Sequence, residues 1–123
     1  MKASVVISKV LEAVRRGEEI ARAIGLQSFA ICEAGSGIVR LHWTNNAGEP
    51  GVAVEVMAKA IEALRDSIVR EGGNLVVMSA PPTLKAAVDV WGPVGKALPL
   101  MQELKQQFDP HRILNPGRFV GGI

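Results

Sequence analysis

Ile38-Val39-Arg40-Leu41-His42-Trp43 splits by alternation into two sets: Val39, Leu41 and Trp43, and Ile38, Arg40 and His42. Successive side chains of an extended strand point to opposite faces, so each set shares one face. The first set is wholly apolar, while the second carries two basic groups. A strand of this kind belongs to a sheet covered on one side only. The alternation therefore predicts a two-layer structure whose open sheet face carries Arg40 and His42.

Ser28 to Glu33 reads as the strand paired with this one, across the turn Ala34-Gly35-Ser36-Gly37. A phosphate cradle at that turn is disfavoured, because no helix N-terminus follows to hold an anion. Residues 3–7 are a short β-branched run and predict a first strand. Ser8 is placed to cap the next helix, whose Val10, Val14, Ala21 and Ile24 share a face. Gly17 weakens that helix by about 1 kcal/mol relative to alanine, and either breaks it or lets it pack closely. Gly25 follows as its natural stop.

Residues 44–51 read as a loop. Residues 52–71 predict the longest helix, with Val54, Met57, Ile61, Leu64 and Ile68 in one stripe. Glu55–Lys59 and Asp66–Arg70 are expected as pairs on its wet side. Leu75 to Met78 is a continuous apolar run, which predicts a central strand buried on both faces. The order β-α-β-β-α-β is the plan of a ferredoxin-like α+β sandwich. Residues 1–80 form its core and 81–123 an extension, within a single domain of 123 residues.

The extension has its own punctuation. Leu100, Leu104 and Phe108, with Met101 beside them, make one apolar stripe on a helix over 99–108. Pro99 suits the first helical turn and Asp109-Pro110 ends the helix. Asn115-Pro116-Gly117-Arg118 spells a type II turn. The apolar terminus Phe119 to Ile123 is expected to dock on a surface, because chain ends are otherwise polar and frayed.

Net charge is +2, with basic and acidic residues interleaved. No basic stripe follows a phosphate backbone and no aromatic platform is present, so nucleic acid is not an expected partner. No apolar run reaches the roughly 20 residues of a membrane span. His42 and His111 are isolated from other ligands, so no metal is expected. The single cysteine, Cys32, reads as a buried structural residue and fits a cytoplasmic protein. Arg40 is the candidate for holding a carboxylate. Arg40, His42 and Trp91 are the candidates for facing a substrate or an interface.

Lys105-x-x-Phe108-Asp109-Pro110 and Ile113-Leu114-Asn115-Pro116-Gly117-Arg118 together resemble the close of FAD-linked oxidases of the vanillyl-alcohol-oxidase type. With Val88-Asp89-Val90-Trp91-Gly92-Pro93 upstream, the chain is most similar to the E subunits of bacterial glycolate oxidases. The resemblance is specific over 88–123. It implies a C-terminal cap domain, with Asn115, Pro116, Gly117 and Arg118 brought near FAD in the full subunit. It implies an N-terminal flavin-binding domain that is absent from these residues, so FAD is not expected on this piece alone. It also implies a second flavoprotein subunit and an iron–sulfur subunit as partners, and oxidation of a 2-hydroxy acid to a 2-oxo acid by the assembly. The location would be cytoplasmic, or peripheral at the inner membrane through those partners. The histidine cluster of the metal-assisted dehydrogenases in this family has no counterpart, so no residue is assigned as catalytic. The alternative left open is a ferredoxin-like ligand-sensing or dimerisation module without catalysis.

Overall fold

The computed structural model describes residues 1–45 and 51–123, which form two compact units, Met1–Gly92 and Pro93–Ile123. The first contains β1 (Lys2–Ser4), α1 (Val10–Ala23), β2 (Gln27–Glu33), β3 (Ile38–Thr44), α2 (Val54–Arg70), β4 (Asn74–Val76) and α3 (Pro82–Ala87). The second contains α4 (Leu98–Phe108) and short 3-10 turns. The loop expected at 44–51 falls mainly on residues outside the described set.

The sheet is antiparallel throughout, in the order β2-β3-β1-β4. This is the expected α+β sandwich. Ala3, Val39 and Leu75 face one another across three strands and are fully buried, together with Leu41. Ile61, Leu64 and Ile68 of the α2 stripe close the core from the helix side, and Val54 and Met57 pack at its rim. Each fully buried side chain of this size contributes about 1.5–3 kcal/mol.

α1 runs through Gly17 without a break. A Cβ built there would lie 2.9 Å from Leu41 Cδ1, so helix and sheet approach closely at the glycine. The buried face of α1 is Val10, Ala13, Gly17 and Ala21, a lane of mostly small residues. Val14 and Ile24, expected on that face, are only half-buried. The helix stops as expected at Gly25. Leu26 N–H donates to Ala21 O and Gly25 N–H to Arg22 O, which together make a Schellman cap.

Several expectations are corrected. β1 ends at Ser4, and a 3-10 turn over Ile7–Lys9 leads into α1. Ser8 therefore does not cap the helix; Lys9 occupies that position, with no side-chain cap bond. β4 is an edge strand rather than a central one, with Leu75 and Val77 buried but Met78 exposed. The apolar run had concealed this alternation. Arg70 Nε donates to the Asp66 main-chain carbonyl, and neither expected α2 pair is among the ion pairs of the described residues. Lys9 instead bridges Glu12 and Glu71, tying the entry of α1 to the exit of α2.

The segment after Pro81 belongs partly to the first unit. Pro82 starts α3, where its missing N–H costs nothing. Leu84 and Val88 are buried in the core, and Val77 N–H donates to Val90 O. The unit boundary thus follows Gly92, later in the chain than residue 80.

Candidate functional site

β3 carries the first candidate residues. Its register places Arg40 beside Ile31 and Lys2, and His42 beside Phe29. Cross-strand neighbours share a face. The open face therefore combines Phe29, Ile31, Ile38 and Val76 with Lys2, Arg40 and His42. Arg40 is half-buried and His42 exposed, as the alternation predicted.

Arg40 is already partnered. Its Nη1 forms a close ion pair with the Glu33 carboxylate. That bond, first among the causes, holds the Glu33 carboxyl below its ordinary range. Glu33 stands at the end of β2 opposite Ile38, diagonal to Arg40 across the hairpin. An anionic ligand at Arg40 would compete with this carboxylate.

Arg40 and His42 also line a groove of about 460 Å³ with Trp43, Met57, Met78 and Leu84. Its wall is mainly apolar, with Arg40 and His42 among its lining, which suits a small acid with a short apolar body. Trp43 Nε1 and Ser28 Oγ, facing each other across β2 and β3, are buried without a hydrogen-bond partner among the described residues. Trp91 does not line this groove. It is half-buried, with its N–H donated to Asp89 Oδ1.

Arg65 is a residue the sequence reading missed. It is 6 % exposed, although it sits on the helix that supplies the core. Its Nε donates to Leu75 O at 3.4 Å and its Nη2 to Asp89 O. One guanidinium thus fastens the 88–92 segment beside β4. Its place next to Leu64 and one turn beyond Ile61 was the available signal.

In the second unit, the end of α4 is fastened by Asp109, which is 5 % exposed. It accepts from Lys105 Nζ at 2.6 Å, Ile113 N–H at 2.9 Å and Leu114 N–H at 3.0 Å. Lys105 Nζ also donates to Leu114 O. The Lys105 hydrogen bond, with the two backbone donors and against desolvation, lowers the Asp109 carboxyl to about 2. This clasp sets the course of the chain towards the Asn115-Pro116-Gly117-Arg118 turn. The turn has the expected form: Arg118 N–H donates to Asn115 O at 3.2 Å and Gly117 has φ 69°. All four of its residues are exposed.

A cavity of about 440 Å³ lies beside the turn, lined by Lys105, Arg112, Pro116, Gly117 and the terminal glycines. Its charged side chains, Lys105 and Arg112, are basic. It does not supply a dinucleotide cradle, because no strand–glycine loop–helix unit frames it. The α4 stripe is uncovered within its unit: Leu100, Leu104 and Phe108 are 60 %, 46 % and 77 % exposed.

Cys32 is exposed rather than buried, because β2 is an edge strand that α1 covers incompletely. His111 is exposed in the turn after α4. Among the described residues, no group of three or more His, Cys, Asp or Glu side chains is placed to hold a metal ion. No helix among them is long and apolar enough to cross a membrane.

Residues 90–119 match the family model of the C-terminal domain of FAD linked oxidases. The match takes in Trp91, α4, the Asp109 clasp and the 115–118 turn. No curated protein and no solved structure matches the chain.

Proposed function

We propose that this chain is the C-terminal cap domain of a flavin-dependent oxidase subunit similar to the E subunits of bacterial glycolate oxidases. The observation that carries the reading is that the residues matching the oxidase model include a helix with an uncovered apolar stripe. A stripe of this size in water is unfavourable, and covering it against a second domain would remove that cost. In this reading a flavin-binding domain is the cover. α4 docks on it, and Asn115, Pro116, Gly117 and Arg118 lie beside FAD.

The flavin, when bound, supplies hydride acceptance from the carbon bearing the hydroxyl of a 2-hydroxy acid such as glycolate. The residues of this chain orient and enclose. Arg40 offers positive charge and His42 a ring N–H to a substrate carboxylate, and the apolar part of the open face excludes water. A second flavoprotein and an iron–sulfur subunit complete the proposed assembly and carry electrons onward.

The test is reconstitution in two pieces. The FAD-loaded N-terminal domain of a glycolate oxidase E subunit, cut before its cap, is mixed with residues 1–123. Complex formation on a sizing column and recovery of subunit assembly are expected, with the isolated 1–123 chain remaining colourless in FAD. Stoichiometric FAD on 1–123 alone, or no binding to the flavin domain, would overturn the reading.

A further inference from the structure

We infer that the bare edge of β2 pairs with β2 of a second copy of this chain, antiparallel, about a two-fold axis at Ala30. The two edges of the sheet differ. Beside β4, Val77 N–H is taken by Val90 O and the neighbouring segment is fastened by Arg65. Beside β2, no strand follows in the sheet order, and every residue of β2 except Ser28 is exposed. An edge strand presents a row of backbone donors and acceptors, and proteins guard such edges with proline, lysine or a bulge. β2 has none of these: its sequence is Gln27-Ser28-Phe29-Ala30-Ile31-Cys32-Glu33, and its register against β3 is unbroken.

The strand is also self-complementary in one register. A two-fold axis at Ala30, its midpoint, uses all seven residues. It sets Phe29 against the second copy's Ile31, Ser28 against Cys32, and Gln27 against Glu33. The apolar side chains, 57 % and 60 % exposed in the single chain, then form one four-membered patch. The amide of Gln27 meets a carboxylate. Moving the axis to Ile31 puts Glu33 against Phe29, and moving it to Phe29 puts Gln27 against Ile31, with fewer pairs in each case. Isologous contacts need this self-matching. The contact is one strand wide, well below the roughly 1,200 Å² of a stable interface, so the pairing is weak and concentration-dependent. It does not depend on the flavin reading.

Sedimentation velocity of the 1–123 chain over a broad concentration range is the first measurement. A reversible dimer is expected, and Ile31→Lys should abolish it with the far-ultraviolet dichroism unchanged. The second measurement keeps the test independent of that variant's folding. Directly opposed residues of an antiparallel pair have Cα atoms about 4.5–5.5 Å apart, within disulfide reach. In a Cys32→Ser background, mild oxidation of Ala30→Cys should therefore give a covalent dimer at several times the yield of Ala87→Cys, an exposed site on α3. A chain that stays monomeric at its highest soluble concentration overturns the inference. Equal cross-linking at the two positions overturns it too.

Discussion

Replacing Gly17 by alanine is the sharpest probe of the contact between α1 and the sheet. Two opposing terms act at this position. Alanine in a helix interior is favoured over glycine by about 1 kcal/mol. The added methyl, however, would lie 2.9 and 3.2 Å from the two Cδ atoms of Leu41, which is fully buried. A free leucine would swing aside, but this one is enclosed by the core. Inserting a methyl into such packing costs about 1–3 kcal/mol. Taking about 2 for the crowding, Gly17→Ala should destabilise the chain by about 1 kcal/mol net. In a Leu41→Ala background the obstruction is gone, and the same substitution should stabilise by about 1 kcal/mol. The sign inverts, and the coupling from the double-mutant cycle is about 2 kcal/mol. Urea denaturation of the four proteins, followed by dichroism, gives each value. Stabilisation by Gly17→Ala with Leu41 intact, or an equal effect in both backgrounds, would refute the close-approach argument.

Other perturbations test the remaining contacts. Arg65→Leu should cost about 2 kcal/mol by leaving the Leu75 and Asp89 carbonyls without this donor, and should speed amide exchange at Val77; Arg65→Lys should not restore the protein, because one ammonium cannot fork to both. The Asp109 clasp should be pH-dependent: its carboxyl is depressed from 3.8 to about 2, so its stabilisation is complete above pH 4 and lost as pH falls towards 2. Proton exchange at Ile113 and Leu114 should report that loss, and Asp109→Asn should remove the pH dependence while weakening protection at neutral pH. Phe108→Ser, on the exposed stripe, should change stability by less than about 0.5 kcal/mol yet abolish binding to the flavin domain in the two-piece reconstitution. Glu33→Gln should release Arg40 from its ion pair, so glycolate titrated against the 1–123 chain should shift the Arg40 side-chain resonances further than in the unchanged protein.

The parts of the fold that were legible rest on short-range rules. Val39 and Leu41 needed only the two-residue period of a strand, and Ile61, Leu64 and Ile68 only the helical period. Gly25 needed only the cost of positive φ to other residues. What failed depended on partners distant in sequence. Leu75 to Met78 is apolar at every position, so it could not reveal which side lay open until β1 was known to be its sole strand partner in the sheet. Cys32 looked like a core residue because its strand looked like a core strand. Arg65 was hidden because a charge within a helix is ordinarily placed in water, and its acceptors lie on two later segments. The site shows the same division. Alternation put Arg40 and His42 on one face, but the Glu33 partner required the hairpin register.

That register changes what the open face can do. A lone arginine on an open sheet would offer its whole guanidinium to an anion, whereas Arg40 is engaged by Glu33 through Nη1, and an incoming carboxylate competes with it there. Both groups are partly in water, where an ion pair is worth little. The displacement is therefore an inexpensive gate in solution. Covering the face with another domain raises the cost of leaving either charge unpaired, since the same interaction strengthens as water is excluded. A carboxylate substrate arriving with the cover would then exchange one satisfied pair for another, while a neutral molecule of similar size would find the arginine still held. Discrimination of this kind requires the closing surface as well as Arg40. In the proposed reading each unit is incomplete on its own account, the first electrostatically at Arg40 and the second hydrophobically along the uncovered stripe of α4, from different stretches of the sequence.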